Sequence, residues 1–215
     1  MISGKTTALL LTLSAALASA PARTATPDPY ALLASLARPA PATTPFVEVR
    51  YSRLLTIPLV TSGELEYRGP GSLGKRIAAP YHENTQIEGQ DVRVEREGQK
   101  PRRFSLERAP ELKGLLASFG AMIGGDRTTL EAYFAVSAGD EGNGWTLTLA
   151  PKDPRTKKRI AGVVVHGAGN APRCFVVTEA SGNASVLMIG ATAGAPLPKS
   201  PKRELVDARC RGDGA

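Results

Sequence analysis

Apolar and polar positions alternate over short runs on either side of one helical stretch. In "FVEVRYS", Val47, Val49 and Tyr51 fall on one side and Glu48 and Arg50 on the other, the two-residue period of a strand. "LLTIPLVTSGELEYRG" continues, broken by Pro58 and by Ser62-Gly63. "GKRIAAPY" and "NTQIEGQDVRVEREGQKPRRFSLE" follow, with turn signals at Glu88-Gly89 and Glu97-Gly98. The pattern resumes in "LEAYFAVSAG", "GWTLTLAPK", "KRIAGVVVHG", "PRCFVVTEA" and "NASVLMIG", with Gly, Asn and Pro between them. Such runs predict an antiparallel sheet with one wet face.

The helical stretch is "APELKGLLASFGAMIGG". It sets Leu112, Leu115, Leu116, Phe119, Met122 and Ile123 at helical spacing, with Pro110 and Glu111 in the first turn and Gly124-Gly125 as the stop. Fully buried, these six side chains represent roughly 10 kcal/mol, so the helix must lie against something apolar. The "TTLE" at Thr128–Glu131 predicts a second short helix opened by a capping box. Upstream, "DPYALLASLARPAPATTP" predicts a helix capped by Asp28, with Pro29 in its first turn and Tyr30, Leu32, Leu33 and Leu36 as its apolar stripe. Pro39, Pro41 and Pro45 end it. The order is thus a helix, about six strands, one or two helices and about five strands. A meander of that many strands must curl to bury its apolar face, and the helices are its natural cover.

The first 22 residues, "MISGKTTALLLTLSAALASAPA", stand apart. A basic start at Lys5, an apolar run from Ala8 to Ala18 and the small residues of Ala20-Pro21-Ala22 make a secretory signal cut after Ala22. The "GKTT" inside it lacks the upstream Gly of a phosphate-binding loop. Residues 23–198 form the body, and 199–215 a basic tail. From Ala193 onward Pro, Gly and charge dominate without periodicity, which predicts an extended tail along the surface. In an exported chain the two cysteines, Cys174 and Cys210, favour a disulfide that pins this tail to the body, worth roughly 3–4 kcal/mol. The alternative is two free thiols.

Apolar residues make up 42% of the chain and charged residues 22%, so it is globular. Aromatics at 5% leave the core to Val, Leu, Ile and Ala. The net charge of +7 gathers at Arg93–Arg103, Lys152–Arg159 and Lys199–Arg211. Export, and the lack of aromatics among these charges, argue against nucleic acid. A solvated face, anionic headgroups or an acidic partner remain.

The residues offer little chemistry. "VVVHGAGNA" around His166 has the look of an oxyanion-hole loop, but the nearest match to a nucleophile elbow is "PGSLG", with Pro70 in the first Gly position and no helix behind it. His82 in "APYHEN" reads as a surface loop residue. Asp126, Glu131, Asp140 and Glu141 lie at helix and turn ends, where carboxylates cap. Two His and no Cys-x-x-Cys make a zinc site unsupported. The Asn183-Ala184-Ser185 sequon bears on a glycosylating host only. No catalytic residue, metal or cofactor is expected, and binding is the default. The sheet's apolar face and the "LKGLLASFGAMI" helix would enclose an apolar space, or their own side chains would fill it.

Several stretches, in order, carry a resemblance. "FVEVRYSRLL", "SGELEYRGPGSL", "NTQIEGQDVRVE", "GWTLTLAPKD" and "KRIAGVVVHGAGNAPRCFVVTEASGNASVLMI" together resemble the periplasmic lipoprotein carriers, the LolA-like family. The chain looks closer to relatives found in aryl-polyene gene clusters than to the housekeeping carrier. The resemblance implies a mainly β protein with helices (α+β), an incomplete antiparallel β-barrel of about 11 strands covered by an N-terminal helix and a central helical lid. It implies a cavity for acyl chains, carriage across the periplasm without chemistry, donor and acceptor proteins at the two membranes, and a monomer. Leu112, Leu115, Leu116, Phe119, Met122 and Ile123 would be the lid, and Leu65, Ile77, Trp145, Leu147 and Leu149 the barrel face. Lys157, Lys158 and Arg159 would meet a partner or headgroups. In the family a basic residue directly before the Pro of the second-strand turn ties lid to barrel. Here Gly69 precedes Pro70 and Arg68 lies one place earlier, so Arg68 is the candidate lock, facing the other side of a strand. The competing class is a structural or interaction protein of the envelope with a dry core, and an enzyme acting on acyl chains is a third.

Overall fold

The computed structural model describes residues 27–213; the leader expected over residues 1–22 lies outside them. In chain order the elements are α1 (Pro29–Leu36), β1 (Ala42–Tyr51), β2 (Leu59–Gly69), β3 (Ser72–Ala79), β4 (Glu83–Glu88), β5 (Asp91–Arg96), β6 (Arg102–Ser105) and a 3-10 turn (Leu106–Arg108). They continue with α2 (Pro110–Gly124), α3 (Arg127–Tyr133), β7 (Phe134–Asp140), β8 (Trp145–Pro151), α4 (Pro154–Lys157), β9 (Ile160–Ala168), β10 (Ala171–Glu179), β11 (Ala184–Ile189), α5 (Ala191–Gly194) and α6 (Arg203–Arg211). All eleven strands form one antiparallel sheet in the order β6-β5-β4-β3-β2-β1-β11-β10-β9-β8-β7. β6 and β7 are its two edges, and α2 and α3 are the chain that joins them. The sheet curls without closing, and the link between its edges lies across the concave face.

Local chemistry sets the helix ends. Asp28 accepts a hydrogen bond from the Tyr30 amide at 3.0 Å and caps α1. Pro110 opens α2, and Gly125 closes it in the left-handed region at φ 70°. α3 departs from the expected capping box. Asp126, two residues before Thr128, accepts from the Thr129 amide at 3.0 Å and is the cap, while Glu131 pairs with Arg127 one turn away. Asp ranks above Thr as an N-cap, and a helix that starts at Arg127 already holds Thr128 in its first turn. The "LEAYFAVSAG" run is therefore helix to Tyr133 and strand only from Phe134.

The concave core lies under the helices. Leu33 and Leu36 of α1, Ala121 and Met122 of α2 and Leu130 of α3 pack on Trp145, Leu147, Leu149, Val163, Val165 and Phe175. Trp145 is fixed within it: its indole N–H donates to the Gly169 carbonyl at 2.8 Å. A Cβ on Gly167 would lie 2.1 Å from the Trp145 ring. The glycines of "HGAGN" thus make room for an indole and turn the β9–β10 hairpin, with Gly169 at φ 54°. His166 points to the opposite face, where its Nδ1 meets the Glu141 carboxylate at 2.7 Å.

The expectation of one wet face fails over β1, β10 and β11. Val49, Cys174, Val176, Val186 and Met188 form a second core on the outer face, completed by Val206 and Cys210 of α6. The tail expected to run extended therefore folds as a helix, because Val206 and Cys210 stand one turn apart and both find a dry partner. Cys174 and Cys210 are joined in a disulfide with Cα atoms 5.5 Å apart. Arg173 caps the last turn by donating to the Arg211 carbonyl at 3.0 Å. The Tyr51 hydroxyl donates to the Pro201 carbonyl at 3.2 Å; burial pushes its pKa up to about 12, so it remains a donor at neutral pH.

The bridge closes a loop of 36 residues and holds this outer core shut. Cys210→Ser should lower the unfolding free energy by roughly 3–4 kcal/mol, read as a lower midpoint in urea denaturation with a steeper slope, because the uncrosslinked chain exposes more surface on unfolding.

Candidate functional site

α2 does not settle into the sheet along its whole length. Of its six large apolar side chains only Met122 is fully buried; Leu112, Leu115, Leu116, Phe119 and Ile123 are half-buried. All six line a cavity of about 910 Å³ between the helix and the concave face, near the upper end of the ~300–1,000 Å³ typical of ligand sites. The opposite wall comes from Leu65, Leu73, Phe175, Leu187 and Ile189. Phe119 bridges the two walls, meeting Phe175 edge-to-face with centroids 5.3 Å apart, a contact worth about 0.5–1.5 kcal/mol. At the far end of α2, a Cβ on Gly124 would come within 2.8 Å of the Tyr67 hydroxyl, so glycine allows the helix to rest on β2 there. A smaller cavity of about 370 Å³ shares Tyr67, Leu73, Ile87 and Leu116 with the first.

The cavity also has a charged floor. Even-numbered residues of β1 face inward, so Glu48 and Arg50 line it; these were read from the sequence as the wet side. Glu48 pairs with Lys75 of β3, whose ammonium lies 5.0 Å from the centre of the Phe46 ring. β2 offers no side chain at Gly63, where a Cβ would sit 1.8 Å from the Arg76 carbonyl oxygen. A register shift beside Gly63 bends the sheet. Arg50 pairs with Glu179 at 3.2 Å. Hydrogen bonds from Asn183, then Ser181, and the charge of Arg50 hold the Glu179 carboxyl below the usual range.

The other expected positions divide as follows. Leu65 lines the cavity. Ile77 is buried on β3, and Trp145, Leu147 and Leu149 lie in the packed concave core; none of these four lines the cavity. Arg68 spends its guanidinium on Glu66 (2.9 Å), Glu88 (2.7 Å) and Ser72 (3.2 Å), all on β2–β4, and on no group of α2. Lys157, Lys158 and Arg159 are exposed around α4, which packs beside α2, and Arg159 also lines the cavity. Glu48, Arg50, Lys75 and Glu179 were missed as site residues. The alternation of β1 separated its two faces correctly, but only sheet closure decides which face is inside.

Among the described residues no three His, Cys, Asp or Glu side chains gather as a metal site, and no helix is long and apolar enough to cross a membrane. His82 is exposed, and His166 lies on the outer face.

The family model described as "Outer membrane lipoprotein carrier protein LolA-like" matches residues 19–210. The chain belongs to the LolA-like family. Members of this family are typically lipid- or lipoprotein-binding proteins of the periplasm and are generally carriers without catalytic activity. No curated protein matches the chain. Solved structures are matched at low identity. The LolA superfamily protein NE2245 from Nitrosomonas europaea is 14% identical with a TM-score of 0.42, over 78% of this chain and 92% of that one. LprF from Mycobacterium bovis is 14% identical with a TM-score of 0.38, over 83% and 99%. The Pseudomonas aeruginosa MucA/MucB complex is matched at 14% identity and a TM-score of 0.31, over 83% of this chain and 59% of that one.

Because Trp145 is locked in the dry core and absent from the cavity lining, an acyl ligand that fills the LolA-like cavity should leave its emission maximum nearly unchanged. Titration of the intrinsic fluorescence with a non-quenching fatty acid checks this.

Proposed function

We propose that this protein is a periplasmic carrier. It takes the acyl part of a lipoprotein or lipid-linked product into the cavity beneath α2 and moves it towards the outer membrane without chemistry. The observation that carries this reading is the unfinished burial of α2: five large apolar side chains stay half-buried, even where they touch the sheet's core, because they line an open cavity. Each methylene of a guest chain buried there contributes about 0.8 kcal/mol, and the half-buried leucines gain the contacts they lack. A dry-core scaffold would not leave this space open.

α2 is the natural lid. It is bounded by Ala109 and the left-handed Gly125, and it meets the sheet through the edge-to-face contact of Phe119 with Phe175 and through Leu112 and Leu116 beside Ile87 and Val92. Arg68 acts from the barrel side in this reading, fixing the β2–β4 corner on which the end of α2 rests. The ion pairs Glu48–Lys75 and Arg50–Glu179 set a polar floor against the apolar lid, which suits a cargo with a polar linkage beside its chain. That floor, with the Gly69-Pro70 departure and the resemblance to relatives in aryl-polyene clusters, favours a lipid-linked polyene over a housekeeping lipoprotein. The protein works as a monomer, receiving cargo from an inner-membrane donor and giving it to an outer-membrane acceptor.

Phe119→Glu sets a carboxylate against the chain and removes the Phe175 contact, and burying that charge unpaired is costly. It should weaken capture of a fluorescent fatty acid by at least about tenfold, with the circular dichroism of the sheet unchanged. Capture equal to wild type by a folded variant contradicts the lid assignment.

A further inference from the structure

The β1–β2 connection, residues 52–58, carries Leu54, Leu55 and Ile57 at 92%, 41% and 60% exposure. Single exposed leucines are ordinary on protein surfaces. Three in four consecutive positions on a tethered loop form an apolar tip. The loop is tethered because the Leu55 amide donates to the Ser52 carbonyl at 3.0 Å and the Arg53 amide to the Asn183 side chain at 3.2 Å. The Arg53 guanidinium also reaches the Ser181 carbonyl. The leucines are therefore held outward.

Antiparallel register brings three connections to this same end of the sheet: the apolar loop, the β10–β11 turn and the basic segment around α4. Tyr51 stands opposite Ala184, Thr178 opposite Ala184, and Glu179 opposite Ile160. The Ala180 amide donates to the Arg159 carbonyl at 2.9 Å. At this end stand Arg53, in the loop itself, and Arg155, Lys157, Lys158 and Arg159 around α4. Among the described residues none of these five cations makes a salt bridge. The two carboxylates in or next to these three connections are already engaged, Glu179 with Arg50 and Asp153 as the cap of α4. Arg50, Glu179 and Arg159 also line the cavity, so it extends to this end.

We infer that this end docks on an anionic lipid surface, with Leu54, Leu55 and Ile57 inserted at the headgroup boundary and the α4 cations on the phosphates. Stable surface binding needs both an apolar and a basic contribution, and this end supplies both. Docking sets this end of the cavity against the layer from which, or into which, an acyl chain moves; that consequence, unlike the docking, rests on the carrier reading.

The test is co-sedimentation of the full chain with vesicles of phosphatidylglycerol and phosphatidylcholine in equal parts, and with phosphatidylcholine alone. Wild type should pellet with the anionic vesicles, and less so as salt is raised. Leu54→Ser/Ile57→Ser and Lys157→Glu/Lys158→Glu should each weaken binding about tenfold or more. The leucine-loop variant should still capture soluble fluorescent fatty acid, and Phe119→Glu should still pellet, so failure of docking and failure of carriage are separable. Wild type left in the supernatant, or a leucine-loop variant that pellets like wild type, overturns the proposal and leaves a protein partner as the occupant of this loop.

Discussion

An eleven-stranded antiparallel sheet whose edges β6 and β7 do not pair leaves its concave apolar face open unless something spans the gap. Here the spanning element is the only chain that links those edges, so lid and sheet cannot be separated in the topology. α1 and α3 cover the half over β7–β10 and make a dry core with Trp145 at its centre. α2 covers the other half and does not fill it. A cavity beside a packed core follows from this division: the three helices do not carry enough apolar side chains to cover the whole concavity.

The reversed polarity of β1 follows from a second constraint. Its apolar side is claimed by α6 on the outer face, where Val49, Val186, Met188 and Val206 are buried completely, and its charged side is left to the cavity. Those charges are tolerated because they are paired across strands, Glu48 with Lys75 and Arg50 with Glu179, and because the cavity is open enough to hydrate them. The site is thus amphiphilic, apolar on the lid and polar on the floor. The disulfide sustains this arrangement indirectly, since it holds the helix that buries the other face of β1.

Much of the fold was legible along the chain. The punctuation by Pro110 and Gly125 marked α2, its 3.6-residue stripe marked the cavity wall, and two-residue alternation marked most strands. What stayed hidden depended on contacts distant in sequence. Trp145, Leu147 and Leu149 show a clear alternation, but whether that face meets cargo or helices is decided by where α1 and α3 settle. The partnership of Glu48 with Lys75 depends on the bend at Gly63 and on register across three strands. α6 gave no periodic signal, because "RELVDARCR" offers only Val206 and Cys210 as buried contacts, and the disulfide supplies what apolar area does not. The "HGAGN" turn shows the reverse case: a stretch with a catalytic look, set aside on sequence for want of a nucleophile, is explained by the space an indole needs.

The central claim is that the space beneath α2 receives an acyl chain. A fatty acid carrying a photoreactive group at its terminal carbon, irradiated with the purified protein and mapped by mass spectrometry of the digest, tests it directly. The account predicts adducts on α2 between Leu112 and Ile123 and on facing residues such as Leu65, Phe175 and Leu187. Adducts confined to the outer face, or to the exposed 52–58 loop with α2 unlabelled, would contradict it.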